Sequence, residues 1–488
     1  MKTLKTSPRW TDHLLININW LGLSSIIQST TPLITPLLVE QFVGQTSKAG
    51  AFGTIRLWSL MVALLVQALA GLLSDQCTSR WGRRRPFILA GSLASMLVLI
   101  LIGMSAQLTG ETGFWTLFAL VILLNVASNN TQAAQQALIP DLVPPEQRGI
   151  ASGVKVIFET PLPVILVSLS VAPLISHGNL WGGILIVLAV VFLCALLTMK
   201  IHETPIDKPE HPADWKSFFR LVLMAGAFMV GILAAGWLVR QIDARLILGQ
   251  DGVQFMALVG GAGVLAMLLA AGVGVWLRIR IAIGREGKIA PGFTFWVINR
   301  LAFLIGITNI ASFAVYFLQA RIGYQHEQAA QPASYLAVVV GAAILLAARP
   351  GGWLTQRLGS RRMAALGGFL AFLGTLLCLV VPNINWIFAG GFFIGLGAGL
   401  FYPANWALGV SIVPKEHAGL YMGISNLAGA GAGAIGAYIG GPIADSVTHH
   451  IATPVGAGYV VLFAIYGIAF LLSSFALIGI RKKGSNEL

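Results

Sequence analysis

The sequence predicts an all-α integral membrane protein of about 14 transmembrane helices, built as two six-helix halves with two inserted helices between them. Three observations carry that expectation. Of 488 residues, 56% are hydrophobic and only 10% are charged, against roughly 25% charged in a soluble domain. So few charges could not cover the surface of a soluble fold of this size. Fourteen apolar runs are each long enough to cross a bilayer, which takes about 20 residues. Two short motifs also recur along the chain at a spacing that a duplicated half with an insertion would give.

In chain order, a basic start (Met1 to Trp10) leads into an apolar run over 13–39 that carries Asn17, Asn19 and Gln28. No small-residue cleavage site follows it, so it is expected to be a retained first helix. Five runs complete the first group, at about 51–74, 86–107, 114–139, 150–176 and 180–199. A polar stretch from Lys200 to Lys216 is followed by runs at about 218–239 and 254–277 and a basic loop with Arg278, Arg280, Arg285 and Lys288. Six further runs lie at about 293–319, 333–353, 362–381, 384–411, 415–443 and 457–480. The expected organisation is a six-helix half over 1–199, a linker with two extra helices over 200–290, and a second six-helix half over 291–488.

Charge sets the topology. With an even helix number and a cytoplasmic N-terminus, the cytoplasmic segments hold 24 of the 31 basic residues, the asymmetry of multi-pass proteins. Both termini are then cytoplasmic, in an inner or plasma membrane. The same bias accounts for the net charge of +13 without a nucleic-acid partner. Cys77, Cys194 and Cys378 form no spaced cluster, so neither a metal site nor a disulfide framework is expected, and no cofactor is. Sequence signatures of hydrolases, zinc peptidases and phosphate loops are lacking, which argues against an enzyme.

The repeats are specific. Gly71 to Pro86 reads GLLSDQCTSRWGRRRP, and Gly352 to Met363 reads GWLTQRLGSRRM. LVPPEQRG (Leu142–Gly149) matches IVPKEHAG (Ile412–Gly419) without gaps, 270 positions later. Plain six-helix halves would repeat at roughly 200 residues, and the excess of about 70 is what two extra helices with loops occupy.

These residues resemble the major facilitator superfamily, whose loop after the second helix reads G-x-x-x-D-x-x-G-R-R. The match is Gly71, Asp75, Gly82, Arg83 and Arg84, with three extra residues, Cys77 to Ser79. The string SDQCTSRWGRRRPF is similar to the narrower branch of sucrose transporters and glycoside–cation symporters. The resemblance implies two facilitator-type halves that alternate access to a central site, and a sugar, glycoside or similar polar organic solute as cargo. In one place the chain departs from that branch. Along LNVASNNTQAAQQALIPDL (Leu124–Leu142), the branch's helix-four aspartate falls on Asn125 and its arginine on Gln136. The roles of those two charges in proton coupling and sugar binding do not carry over.

Polar residues within the spans are the site candidates, because burying them in a bilayer is costly. Glu159 lies about 15 Å along its helix from Gly149, near the midplane. It is read either as a proton- or cation-coupling carboxylate or as the structural partner of Lys155, one turn back; Pro161 and Pro163 should kink the helix there. Arg300 is read as its coupling partner, as a contact for an anionic substrate, or as an arginine reaching the interface. Asn125, Asn129, Gln132 and Gln136 share one helix face and either line a cavity for a hydroxyl-rich ligand or bind neighbouring helices. Asn17, Ser24, Gln28 and Thr31 form a similar stripe, and Trp20 is either a sugar-stacking ring or an interface aromatic. In the second half, Asn309, Ser312 and Tyr316 share a face, as do Tyr402, Asn405 and Trp406, and Asn426 opens a helix rich in small residues. Asp75, Arg83, Arg84 and Arg148 are read as a conformational latch in which arginines bridge carboxylates across the halves, against a plain topogenic loop.

The expected function is alternating-access transport of a small polar solute, with proton coupling through Glu159, by a lipid-embedded monomer. The alternatives are export of amphipathic solutes or drugs and, in another class, a non-transporting sensor or membrane-complex assembly factor.

Overall fold

The computed structural model describes residues 9–205, 214–246, 252–283, 291–412, 418–451 and 456–480, with the side chains of 242–246, 275–283, 291, 410 and 418–428 outside that description. Among the described residues every regular element is a helix. Among the described residues, twelve helices, from Lys48–Asp75 to Ala457–Gly479, are long and apolar enough to cross a membrane. The two further runs expected from sequence, 13–39 and 415–443, do not add to that count. The first falls on a broken series of short helices over Trp10–Val43. The second falls on Ala418–His450, part of which lies outside the described side chains.

Proline accounts for the π turn in the first span and for the break in the fifth. In the first, a π-helical turn at Thr30–Ile34 contains Pro32, which lacks an N–H and clashes with the carbonyl four residues back. In the fifth expected span, Arg148–Glu159 ends at Thr160 (φ −124°, ψ −70°) and a new helix starts at Pro161. A second π turn, Val167–Val171, precedes Pro173. The kink expected after Glu159 is thus a full break.

The described chain forms two compact units that do not follow the 199/200 and 290/291 boundaries. One comprises residues 1–43, 62–222 and 326–338, and the other 44–61, 223–325 and 339–488. In the first unit, the core is built on Trp20, Ile34, Leu99, Leu117, Leu138, Val171 and Val187, each almost fully buried. Residues 326–338 join it through Ser168, which donates to Ser334 O at 3.0 Å, and through His326 Nδ1, 3.0 Å from Glu40 Oε2. Its outer surface is apolar: Leu93, Leu97, Leu101 and Met104 are exposed at helical spacing, a face for lipid.

The second unit has an aromatic core. Phe303 stacks on Phe401 at 3.7 Å and Phe317 on Phe463 at 4.0 Å between ring centroids. The start of the Lys48–Asp75 helix packs closely on Ala418–His450: a side chain at Gly53 would collide with Ala437 O, and one at Gly441 with Ala49 O. The small-residue run LAGAGAGAIGAYIGG permits this approach. The inserted helices, Trp215–Leu246 and Gly252–Ile283, lie largely in this unit. Gly263 meets Ile443 and Ile465, and Arg240 lies 4.9 Å from the Tyr438 ring and donates to its hydroxyl.

Candidate substrate site

In the first unit, the Gly110–Leu142 helix carries the amide stripe. Asn125, Asn129 and Gln132 are partly exposed and Gln136 is exposed. Asn125 and Asn129 each donate to the carbonyl one turn back, at 2.9 Å, so their oxygens stay available on the exposed face. The helix-binding role falls to two amides that the stripe did not include. Asn130 donates to Phe87 O at 2.9 Å and Gln135 to Ile16 O at 2.6 Å. Gln28 is partly exposed, whereas Asn17 and Ser24 of the similar stripe are buried.

Glu159 sits at the helix break, with Lys155 Nζ 3.5 Å from its Oε2. Lys155 Nζ also lies 4.3 Å from the Trp20 ring centre. Trp20 is 1% exposed, which corrects both readings of it: the ring neither faces a ligand nor sits at an interface, but floors the Lys155–Glu159 pair.

The loop between the second and third expected helices forms a closed network within the first unit. Gly82 adopts φ 97°, a conformation that favours glycine, and a Cβ there would run into Glu203. The Glu203 carboxylate accepts from the backbone N–H groups of Arg83, Arg84 and Arg85 at 2.8–3.1 Å, satisfying the start of the Arg85–Ser105 helix. Arg84 pairs with Asp75 and with Asp141 (2.8 Å), and Arg83 pairs with Asp141 (2.6 Å). Burial alone would lower the Arg84 pKa, but the hydrogen bonds and charges of Asp141 and Asp75 together hold it above the ordinary value. Arg148 instead donates to the carbonyls of Val143 and Pro140, at 3.1 and 3.0 Å, closing the end of the Gly110–Leu142 helix. The expectation of arginines bridging carboxylates across the halves is therefore corrected. Asp75, Asp141 and Glu203 all belong to the same unit as the arginines, and Arg148 bonds carbonyls.

In the second unit, Arg300 is the centre of the site. It lies on Pro291–Ser312, whose residues Arg300, Leu304, Ile307, Thr308 and Ala311 are at least partly exposed and share one face. Arg300 Nη1 donates to Asn405 Oδ1 at 3.2 Å, and its guanidinium carbon is 5.9 Å from the Trp406 ring centre. Two further bonds hold Asn405, and a third holds its partner Asn299. Asn405 Nδ2 donates to Asn299 Oδ1 at 2.7 Å, Asn299 Nδ2 donates to Ser473 O at 2.8 Å, and Trp296 Nε1 donates to Asn405 O at 2.8 Å. Tyr402 and Trp406, one turn apart, are exposed at 38% and 49%.

Asn309 is corrected. It is fully buried and donates to Ile305 O and Ala432 O, joining two helices rather than lining a cavity. Ser312 and Tyr316 are buried as well. Asn426 lies on Ala418–His450, with its side chain outside the described residues.

Sequence reasoning missed several charged groups. Lys48 is 2% exposed and donates to Gln319 Oε1 at 2.7 Å above the Tyr316 ring. Asp445 accepts from Ala49 N and Gly50 N at 3.0 and 2.6 Å. Arg56 places Nη2 near Gly433 and Thr308, with Nε buried and unbonded among the described residues. Among the described residues, no group of three His, Cys, Asp or Glu side chains could hold a metal.

The helical fold, the Asp75–Arg84 loop and polar side chains on spanning helices define an all-helical, polytopic membrane protein. The family model of the Major Facilitator Superfamily matches residues 21–324 and 297–487, and the chain belongs to that superfamily. It is similar to the sucrose transport proteins SUC3 of Arabidopsis thaliana (35% identical over 145 residues; 25% of this chain, 23% of that protein) and SUC4 of the same plant (39% over 95 residues; 17% and 19%). The matched stretches span about a quarter of those relatives or less. Among solved structures, a POT peptide transporter in complex with sulfate superposes with TM-score 0.62 at 15% identity, over 96% of this chain and 94% of that one. The nucleoside transporter NupG superposes with TM-score 0.63 at 13% identity, over 96% and 100%. At such identities these likenesses show the fold.

Proposed function

We propose that the protein is a secondary active transporter that moves a polar organic solute, a sugar or glycoside, by alternating access, driven by protons through Glu159, with both termini cytoplasmic. The observation that carries the solute class is the amide face Asn125, Asn129, Gln132 and Gln136. It stays partly open in a spanning helix while neighbouring Asn130 and Gln135 do the helix binding. Amides both donate and accept, which suits hydroxyl-rich ligands. Gln28 of the first unit is assigned to that ligand, and within the second unit Tyr402 and Trp406 are assigned to substrate contact. Aromatic surfaces of that kind bind sugar rings.

Glu159 is the coupling group in this reading. It is a carboxylate at a helix break, held by one lysine at 3.5 Å. Protonation would free Lys155 and loosen the break, giving the proton a conformational readout.

The test is transport by purified protein in liposomes under an imposed pH gradient. Glu159→Gln should abolish gradient-driven accumulation while leaving sugar exchange intact. Full accumulation by that variant would remove Glu159 from coupling. Absence of both accumulation and exchange in the unaltered protein would remove the transport reading.

A further inference from the structure

We infer that the turn at Ser79–Gly82 and the adjoining face of the Arg85–Ser105 helix bind an anionic phospholipid, with Arg80 on its phosphate and an acyl chain along Leu89, Leu93 and Leu97. This goes beyond the transport reading and does not depend on which solute is carried.

Three of the loop's four arginines turn inward. Arg83 and Arg84 pair with Asp141, Arg84 also pairs with Asp75, and Arg85 donates to Met199 O. Arg80 differs. It is exposed, and its side chain forms no hydrogen bond or ion pair among the described residues. Residues 206–213, with Asp207 and Glu210, lie outside the described ones. The ligand is therefore assigned from the groove beside Arg80, not from a charge balance.

That groove has a volume of about 440 Å³, within the roughly 300–1,000 Å³ of small-ligand clefts. It is lined by Ser79, Arg80 and Trp81 from the turn and by Pro86, Leu89 and Leu93 from the helix. The turn is held in place. Gly82 N donates to Ser79 O at 3.0 Å and Trp81 N to Ser79 Oγ at 3.2 Å, which puts Arg80 and Trp81 at its two corners. Glu203 lies against Gly82 and already occupies the helix-start amides. An anion in the groove thus meets the Arg80 guanidinium rather than free backbone N–H groups.

The apolar wall separates a lipid from a free anion. Leu93, Leu97 and Leu101 are exposed and, with the partly exposed Leu89, follow one another at one-turn spacing. From Leu89 to Leu101 this strip runs about 18 Å, a little more than one leaflet of a hydrocarbon core about 30 Å thick. Trp81 is 53% exposed beside its head, an aromatic of the kind found at headgroup level. A guanidinium binds a phosphate by charge-assisted hydrogen bonds, and the leucine strip takes a chain. No acidic side chain is among the described residues that line the groove, so it offers nothing to the ammonium of a zwitterionic headgroup. With the termini cytoplasmic, as proposed above, the groove meets the leaflet in which anionic lipids concentrate.

The experiment is fluorescence quenching of the full chain, reconstituted in phosphatidylcholine bilayers, by phospholipids brominated on the acyl chain. The readout is the quenched component that disappears in Trp81→Phe. Brominated phosphatidylglycerol should half-quench that component at a mole fraction at least about 5-fold lower than brominated phosphatidylcholine, as expected of one basic side chain at an anionic surface. Arg80→Gln should abolish the preference, and Arg80→Lys should keep part of it. Arg349→Gln removes the same charge from an exposed position in the second unit and should leave the preference unchanged. Equal quenching by the two lipids, or a preference that survives Arg80→Gln, overturns the site. A preference lost equally in Arg349→Gln reports general charge attraction and overturns it as well. Glycerol phosphate, the headgroup without chains, should not displace the lipid at millimolar concentration. Displacement would show an anion site and overturn the lipid assignment.

Discussion

The Glu203 carboxylate shows how much one residue can organise. It neutralises three successive backbone N–H groups at a helix start and fills the space that Gly82 leaves open. Replacing it by alanine leaves buried donors unsatisfied, which costs about 1–3 kcal/mol. Glu203→Ala should lower the thermal midpoint, and Glu203→Gln, which keeps an acceptor oxygen, should lower it less. An unchanged midpoint for the alanine variant would show that water replaces the carboxylate. Arg84, with its pKa above the ordinary value, keeps its charge at any physiological pH, so this network is not a pH sensor on the arginine side. Asp75, Arg83 and Arg84 were readable because they sit together in a loop motif. Asp141 and Glu203 were not, because they reach the same arginines from 58 and 120 positions further along the chain, and no local pattern marks such a meeting. Asn309 misled for a related reason: facing a helix neighbour and facing a cavity have the same periodicity, and burial alone separates them.

At the scale of helices, the prolines told where spans bend but not how. Pro161 marks a complete break, and Pro32 lies within a π turn, an outcome settled by neighbouring helices rather than by the proline itself. Apolar length was the more dependable guide, since twelve of the expected runs appear as spanning helices. The close crossing at Gly53 and Gly441 was foreshadowed by the small-residue run, although its partner, the start of the second expected helix, was not. Gly53→Val would force side-chain atoms into Ala437 O, and overpacking of this kind costs about 1–3 kcal/mol. The variant should lose thermal stability and transport together. Full retention of both would mean that this crossing is not needed for the working protein. Asp445→Ala removes the acceptor for two helix-start amides and should also lower the midpoint, by about 1–3 kcal/mol.

At the scale of the whole molecule, duplication, charge asymmetry and the excess spacing between repeats are legible in the sequence, and the superfamily follows from the match over residues 21–324 and 297–487. What was not legible is how the chain partitions. The first part of the Lys48–Asp75 helix groups with the later helices, and residues 326–338 group with the earlier ones, because packing does not respect sequence order. The inserted helices, whose Ala-, Gly- and Leu-rich composition gave no hint of a role, dock through Arg240–Tyr438 and Gly263 within the second unit. The central claim is that this chain carries a polar organic solute across a membrane. Counterflow tests it most directly: liposomes holding the purified protein and loaded with one unlabelled sugar or glycoside of a panel are diluted into the labelled compound. Transient, saturable, protein-dependent uptake that disappears without the internal load is the result predicted. Uptake no greater than in empty liposomes across the panel, from protein that is folded and elutes with a stable protein partner, would contradict transport and favour the assembly-factor class.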